Sequence, residues 1–114
     1  MNRELRFKAW NGKELISDLY LGLENELKIY IHSCIGYEFI QFTGVEDKNG
    51  VDIYENYIVK HENLTKNYLV KYDIEEARYY LHNDTVKLKR SLRKSMRLEV
   101  IGNIYQNPEL LNYT

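Results

Sequence analysis

The stretch from Gln41 to Glu55 constrains this chain most. Two apolar-rich arms flank Asp47-Lys48-Asn49-Gly50. A short polar Asn-Gly step between β-prone arms predicts a hairpin, because Asn49 and Gly50 accept positive φ at little steric cost. Hairpins commit a chain to antiparallel sheet. Composition agrees: eleven tyrosines are present, and Tyr suits a pleated, half-wet surface. Tyr is also an interface residue type, so a binding surface is a second reading of the same count.

Length and charge narrow the class. A chain of 114 residues forms one domain, or one domain with a small appended unit, and buries a core without staples. Net charge is −1, so no global field draws nucleic acid or a membrane. Cys34 is the single cysteine, which excludes an intrachain disulfide. No apolar run has membrane-spanning length and no h-region follows Met1, so a cytoplasmic, membrane-free protein is expected. The triplets at Asn63 and Asn83 then match the glycosylation pattern by chance.

Period-two alternation runs along most of the chain. Arg3 to Trp10 reads as a strand, and Asn11-Gly12 turns it back into Leu15-Ile16. Leu27, Ile29 and Ile31 alternate with polar partners, and Tyr37 to Phe42 resumes the pattern after Gly36. Ile53 to Lys60, Tyr68 to Tyr72, Ala77 to Leu81 and Leu98 to Tyr105 follow, with a polar turn at Asp73 to Glu76. Gly44 and Gly102 punctuate this pattern as backbone devices. Asn107-Pro108-Glu109 is a helix start, N-cap then first position, with Leu110 and Leu111 expected to dock it. Many short strands with Gly and Asn turns predict a mainly β fold, a small barrel or sandwich.

One segment breaks the alternation. Lys87, Lys89, Arg90, Arg93, Lys94 and Arg97 lie within eleven positions without an intervening acid. Leu88, Leu92 and Met96 fall at i, i+4 and i+8, which predicts a short helix near 86–96 capped by Asp84 or Thr85. Three like-charge i,i+4 pairs, beginning with Lys89 and Arg93, oppose that helix by roughly 0.2–0.5 kcal/mol each. Three readings of the run stay open. It is a solvated segment balanced by acids such as Asp52, Glu55, Glu75 and Glu76, or it contacts nucleic-acid backbone, with Tyr79 and Tyr80 as stacking candidates, or it meets an acidic partner protein.

Chemistry-bearing constellations are sparse. His32 and Cys34 share a strand face, but zinc needs three or four ligands, and no CxxC or HxxxH spacing supplies the rest. No serine sits in a nucleophile elbow and the glycines form no phosphate loop. Glu46-Asp47 and Glu75-Glu76 are adjacent acids that point apart on a strand or into solvent in a turn. The expectation is a non-enzyme with no metal and no cofactor.

Three segments resemble the YopX family of small phage and prophage proteins. Leu5 to Trp10 is similar to that family's opening K-F-R-A-W pattern. Gln41 to Glu55 is similar to its QFTGLKDKNGKEIYEGDIV block, and Glu99 to Leu111 to its EVIGNIYENPEL block. They cover roughly a third of the chain in the family's order, which makes the set specific. The resemblance implies a mostly β chain with an N-terminal β part over 1–50 and an SH3-like barrel over 51–114. It implies phage or prophage origin in a bacterial host, and it brings no catalytic residue. One departure stands out: Asn56-Tyr57 replaces the family's Gly-Asp, so a role resting on that carboxylate does not transfer. The expected function is contact with another protein, self-association included. Nucleic-acid binding through the basic run is the alternative.

Overall fold

A computed structural model describes residues 6–20 and 36–111. These residues form nine strands and one short 3₁₀ helix: β1 Arg6–Trp10, β2 Leu15–Tyr20, β3 Glu38–Glu46, β4 Asp52–Tyr54, β5 Tyr57–His61, β6 Asn67–Asp73, β7 Arg78–Asn83, β8 Val86–Ser91, β9 Leu98–Asn103 and the helix Pro108–Leu111. The mainly β reading holds. The strand expected over Leu27 to Ile31, together with His32 and Cys34, lies outside the described residues. Two compact units divide the chain, Met1–Phe42 and Thr43–Thr114.

In the first unit β1 pairs antiparallel with both β2 and β3. Asn11 makes the first turn: its side-chain oxygen accepts from the Lys13 and Glu14 amides at 2.8 and 2.9 Å. Gly12 takes φ 101°, a conformation that a Cβ would oppose. Ala9 and Ile40 are buried on the paired strands, and the Arg6 guanidinium stacks over the Phe42 ring at 4.2 Å.

In the second unit the Gln41–Glu55 hairpin forms as expected: β3 ends at Glu46 and β4 starts at Asp52. Gly50 takes positive φ, at 82°, and Asn49 does not. The Asp47 side chain explains why one such residue is enough. Its Oδ1 accepts from the Asn49 and Val51 amides, and the Gly50 amide donates to the Asp47 carbonyl. The expected continuous strand Ile53 to Lys60 is broken. Asn56 adopts φ 68° between β4 and β5, the left-handed turn that the Gly of related sequences would make.

From β5 the chain meanders through β6, β7 and β8, and β9 returns to the other side of β5, giving an antiparallel sheet of order β8-β7-β6-β5-β9. Alternation puts Val59, Tyr68, Val70, Leu81 and Leu98 on one face, where they form a core with Ile53. Fully burying an aliphatic side chain of this size contributes about 1.5–3 kcal/mol. Asn107 opens the Pro108–Leu111 turn as expected, and the Asn67 amide group donates to the Leu110 carbonyl at 2.9 Å, tying that turn to β6.

The helix expected near 86–96 is absent. Val86–Ser91 is a strand, followed by a turn in which the Met96 amide donates to the Arg93 carbonyl. The tight Asn83-Asp84-Thr85-Val86 connection pairs the segment with β7, and extended backbone separates the like charges that a helix would stack. Leu92 and Met96 reach the core from this segment, whereas Leu88 stays 67% exposed.

Candidate functional site

The basic run occupies the rim of the five-stranded sheet. β8 is an edge strand, paired only with β7 among the described residues. Lys87, Lys89 and Arg90 are exposed along it, and its register against β7 shifts between Arg90 and Val86. Arg93, Lys94 and Arg97 follow in the turn that leads to β9.

Two of the six cations are used internally. The Lys89 ammonium lies 3.4 Å from the Asp73 carboxylate and 4.9 Å from the centre of the Tyr80 ring. Arg97 donates through Nε to Glu62 at 2.7 Å. Burial acts to raise the Asp73 carboxyl, but donation from the Glu76 and Glu75 amides and from Lys89 outweighs it, leaving the pKa below the usual value. The hydrogen bond from Arg97 is the main reason that Glu62 is also lowered. Asp73 and Glu62 are therefore the acids that meet the run. Of the acids expected from sequence, Glu75 and Glu76 form no ion pair with the run among the described residues.

The remaining cations are Lys87, Arg90, Arg93 and Lys94. All four are exposed and none has an ion-pair partner among the described residues. Lys94 lines a shallow recess with Gly44, Glu46 and Asp47. The stacking candidates are not free platforms. Tyr80 is 8% exposed beneath Lys89, and Tyr79 packs against the core with its ring edge-on to Tyr72 at 5.1 Å.

The opposite rim is closed. The Val100 amide on β9 donates to Asp47 Oδ2 at 2.9 Å, and the Leu98 carbonyl accepts from the Lys48 amide at 2.8 Å. The hairpin tip thus occupies backbone groups that an edge strand would otherwise present. Burial acts to raise the Asp47 pKa, but the Val100, Val51 and Asn49 amides and the charge on Lys48 outweigh it and hold the carboxyl below its ordinary value. Asp47 was legible as a turn residue and as half of an acid pair; its bond to a strand 53 positions away left no mark in the sequence.

Gly12, Gly44 and Gly50 take positive φ. Gly102 serves space instead: within β9, a Cβ there would come 2.6 Å from Asn107 Oδ1. Asn107 Oδ1 accepts from the Asn103 amide, and Asn103 Oδ1 accepts from the Tyr105 and Gln106 amides. Tyr57 is buried, its ring tilted against Tyr54 at 5.5 Å. Asn56 donates from its amide group to the Tyr105 hydroxyl, while its backbone joins Val70 and Ile104. The residues that depart from the family pattern are therefore packing and turn residues.

Among the described residues, no group of three or more His, Cys, Asp or Glu is placed to hold a metal ion, and no helix is long and apolar enough to cross a membrane.

The chain is similar over its fold to protein EF1440 from Enterococcus faecalis, at 22% identity and a TM-score of 0.64, covering 95% of this chain and 98% of that one. It is likewise similar to protein yopX from Bacillus subtilis, at 16% identity and a TM-score of 0.51, covering 98% and 100%. No curated protein matches it. The family model described as YopX protein matches residues 6–112. With the Gln41–Glu55 and Glu99–Leu111 blocks folded as hairpin and closing strand, the chain belongs to the YopX family.

Proposed function

We propose that this chain is a non-enzymatic β module of phage or prophage origin that acts in the bacterial cytoplasm by contact with another protein. The observation that carries this reading is the asymmetry of the second sheet. Its β9 rim is covered by the hairpin tip, while its β8 rim is exposed, and β8 with the turn after it carries four cations that have no ion-pair partner among the described residues. Edge strands recruit partners through their backbone groups. The strand order, a four-strand meander with β9 returning beside β5, supports reading residues 51–114 as an SH3-like barrel. Such barrels host unrelated functions, so the surface and not the fold carries the argument.

Self-association belongs to this proposal, supported by the tyrosine content. A dimer formed by β8 pairing with its own copy would oppose like charges, so self-association uses another surface. Light scattering on a size-exclusion column at about 50 µM, a regime in which micromolar contacts persist, tests it. A clean monomer removes self-association and leaves a heterologous partner.

Nucleic-acid binding through Lys87, Lys89, Arg90, Arg93, Lys94 and Arg97 is the second reading, favoured by the four cations without internal partners. Fluorescence anisotropy with short DNA and RNA across salt separates the two. Binding at low salt that disappears when all six become Gln supports nucleic acid. Absence of binding at low salt supports protein contact.

A further inference from the structure

We propose that the outer rim of β8 takes up an extended polypeptide segment of acidic and apolar residues as an added strand. The inference rests on the protein-contact reading and names its partner chemistry. Three observations lead there.

The first is the backbone. The Leu92 amide, just beyond β8, donates inward to the Tyr79 carbonyl at 2.9 Å. In an antiparallel ladder inward and outward residues alternate, so Ser91, opposite Tyr80, presents its N–H and C=O groups outward. An edge that offers both donors and acceptors matches another polypeptide strand. A phosphate backbone accepts only, and would leave the outward carbonyls facing anions.

The second is the side-chain pattern. Lys87, Leu88 and Arg90 are all exposed along β8, Leu88 at 67%. An added strand that carries carboxylates meets the cations, and its apolar side chains meet Leu88. Arg93 and Lys94 extend the positive charge beyond the strand end.

The third is what is missing for a nucleic acid. Tyr80 lies under Lys89 and Tyr79 against the core, so no exposed ring on β7 or β8 offers a base a stacking face.

The test uses the full chain and fluorescent peptides of about eight alternating Glu and Val residues, long enough to span β8 at about 3.3 Å per residue. Two further peptides carry N-methyl groups on the odd or the even amides. An oligothymidylate of equal charge is the third probe. Strand addition predicts salt-sensitive binding of the parent peptide and slowed amide exchange at Ser91. It also predicts at least tenfold weaker binding of one methylated isomer, since alternate amides face opposite sides of a strand. K87Q/R90Q/R93Q/K94Q, which leaves the Lys89 and Arg97 ion pairs intact, should weaken the parent by about tenfold or more at low salt. Equal binding of all three peptides overturns strand addition but leaves protein contact standing. No binding of the parent at low salt overturns strand addition and leaves protein contact through another surface. Tighter binding of the oligothymidylate than of the parent peptide overturns both.

Discussion

The Asp47 carboxylate accepts the Val100 amide at 2.9 Å, joining the hairpin tip to a strand 53 positions later. The same side chain organises its own turn through the Asn49 and Val51 amides. One buried acid therefore builds the hairpin and covers the sheet rim.

Asp47→Ala should lower stability by roughly 1–3 kcal/mol, because it leaves the part-buried Asn49, Val51 and Val100 amides without their acceptor. Urea denaturation followed by tryptophan fluorescence measures this. A loss below about 0.5 kcal/mol, the scale of an ordinary surface substitution, would mean that water replaces the carboxylate.

Acid should destabilise the fold through the same group. Asp47 and Asp73 are both held below their ordinary values in the folded chain. Their contribution is fully present above the unfolded carboxyl pKa and is lost as pH falls through the lower, folded one. Stability should therefore be flat in pH on this account near neutrality and decline below about pH 4. Asp47→Asn should shallow that decline, seen as a smaller drop in denaturation midpoint between pH 5 and pH 3. An unchanged slope would remove Asp47 from the acid transition.

Gly102→Ala should cost about 1–3 kcal/mol through overpacking, since the new methyl group meets Asn107. The cost should be coupled to that neighbour. In the background of Asn107→Ala the same change should cost distinctly less, a non-additivity that a double-mutant cycle resolves. Additive losses would place the strain elsewhere.

Ala77→Gly should stabilise the protein by about 0.5 kcal/mol. Ala77 holds φ 51° in the exposed turn after Asp73, where a Cβ is unfavourable. Relief of that strain exceeds the extra freedom glycine gains when unfolded. Thermal unfolding should show a midpoint raised by a few degrees; a lower midpoint would contradict the strain.

Much of the architecture was legible from period and turn chemistry. Asp47 to Gly50, Asn11-Gly12, Asp73 to Glu76 and Asn107-Pro108 all turn where their residue types predict. Those signals are local, with cause and effect within four residues. The basic run was misread because its signals competed. Leu88, Leu92 and Met96 matched a helical stripe, but pairing with β7 drew Val86–Ser91 into the sheet and left Leu88 outside the core.

The sequence by itself determined a β chain with known turn positions and a local excess of positive charge, since alternation, turn preference and charge are properties of neighbouring residues. Only the tertiary structure decided which rim of the sheet is open. Asp47 meeting Val100, Lys89 meeting Asp73 and Arg97 meeting Glu62 are contacts between segments distant along the chain. Those contacts cover one edge, neutralise two cations, and leave Lys87, Arg90, Arg93 and Lys94 facing solvent.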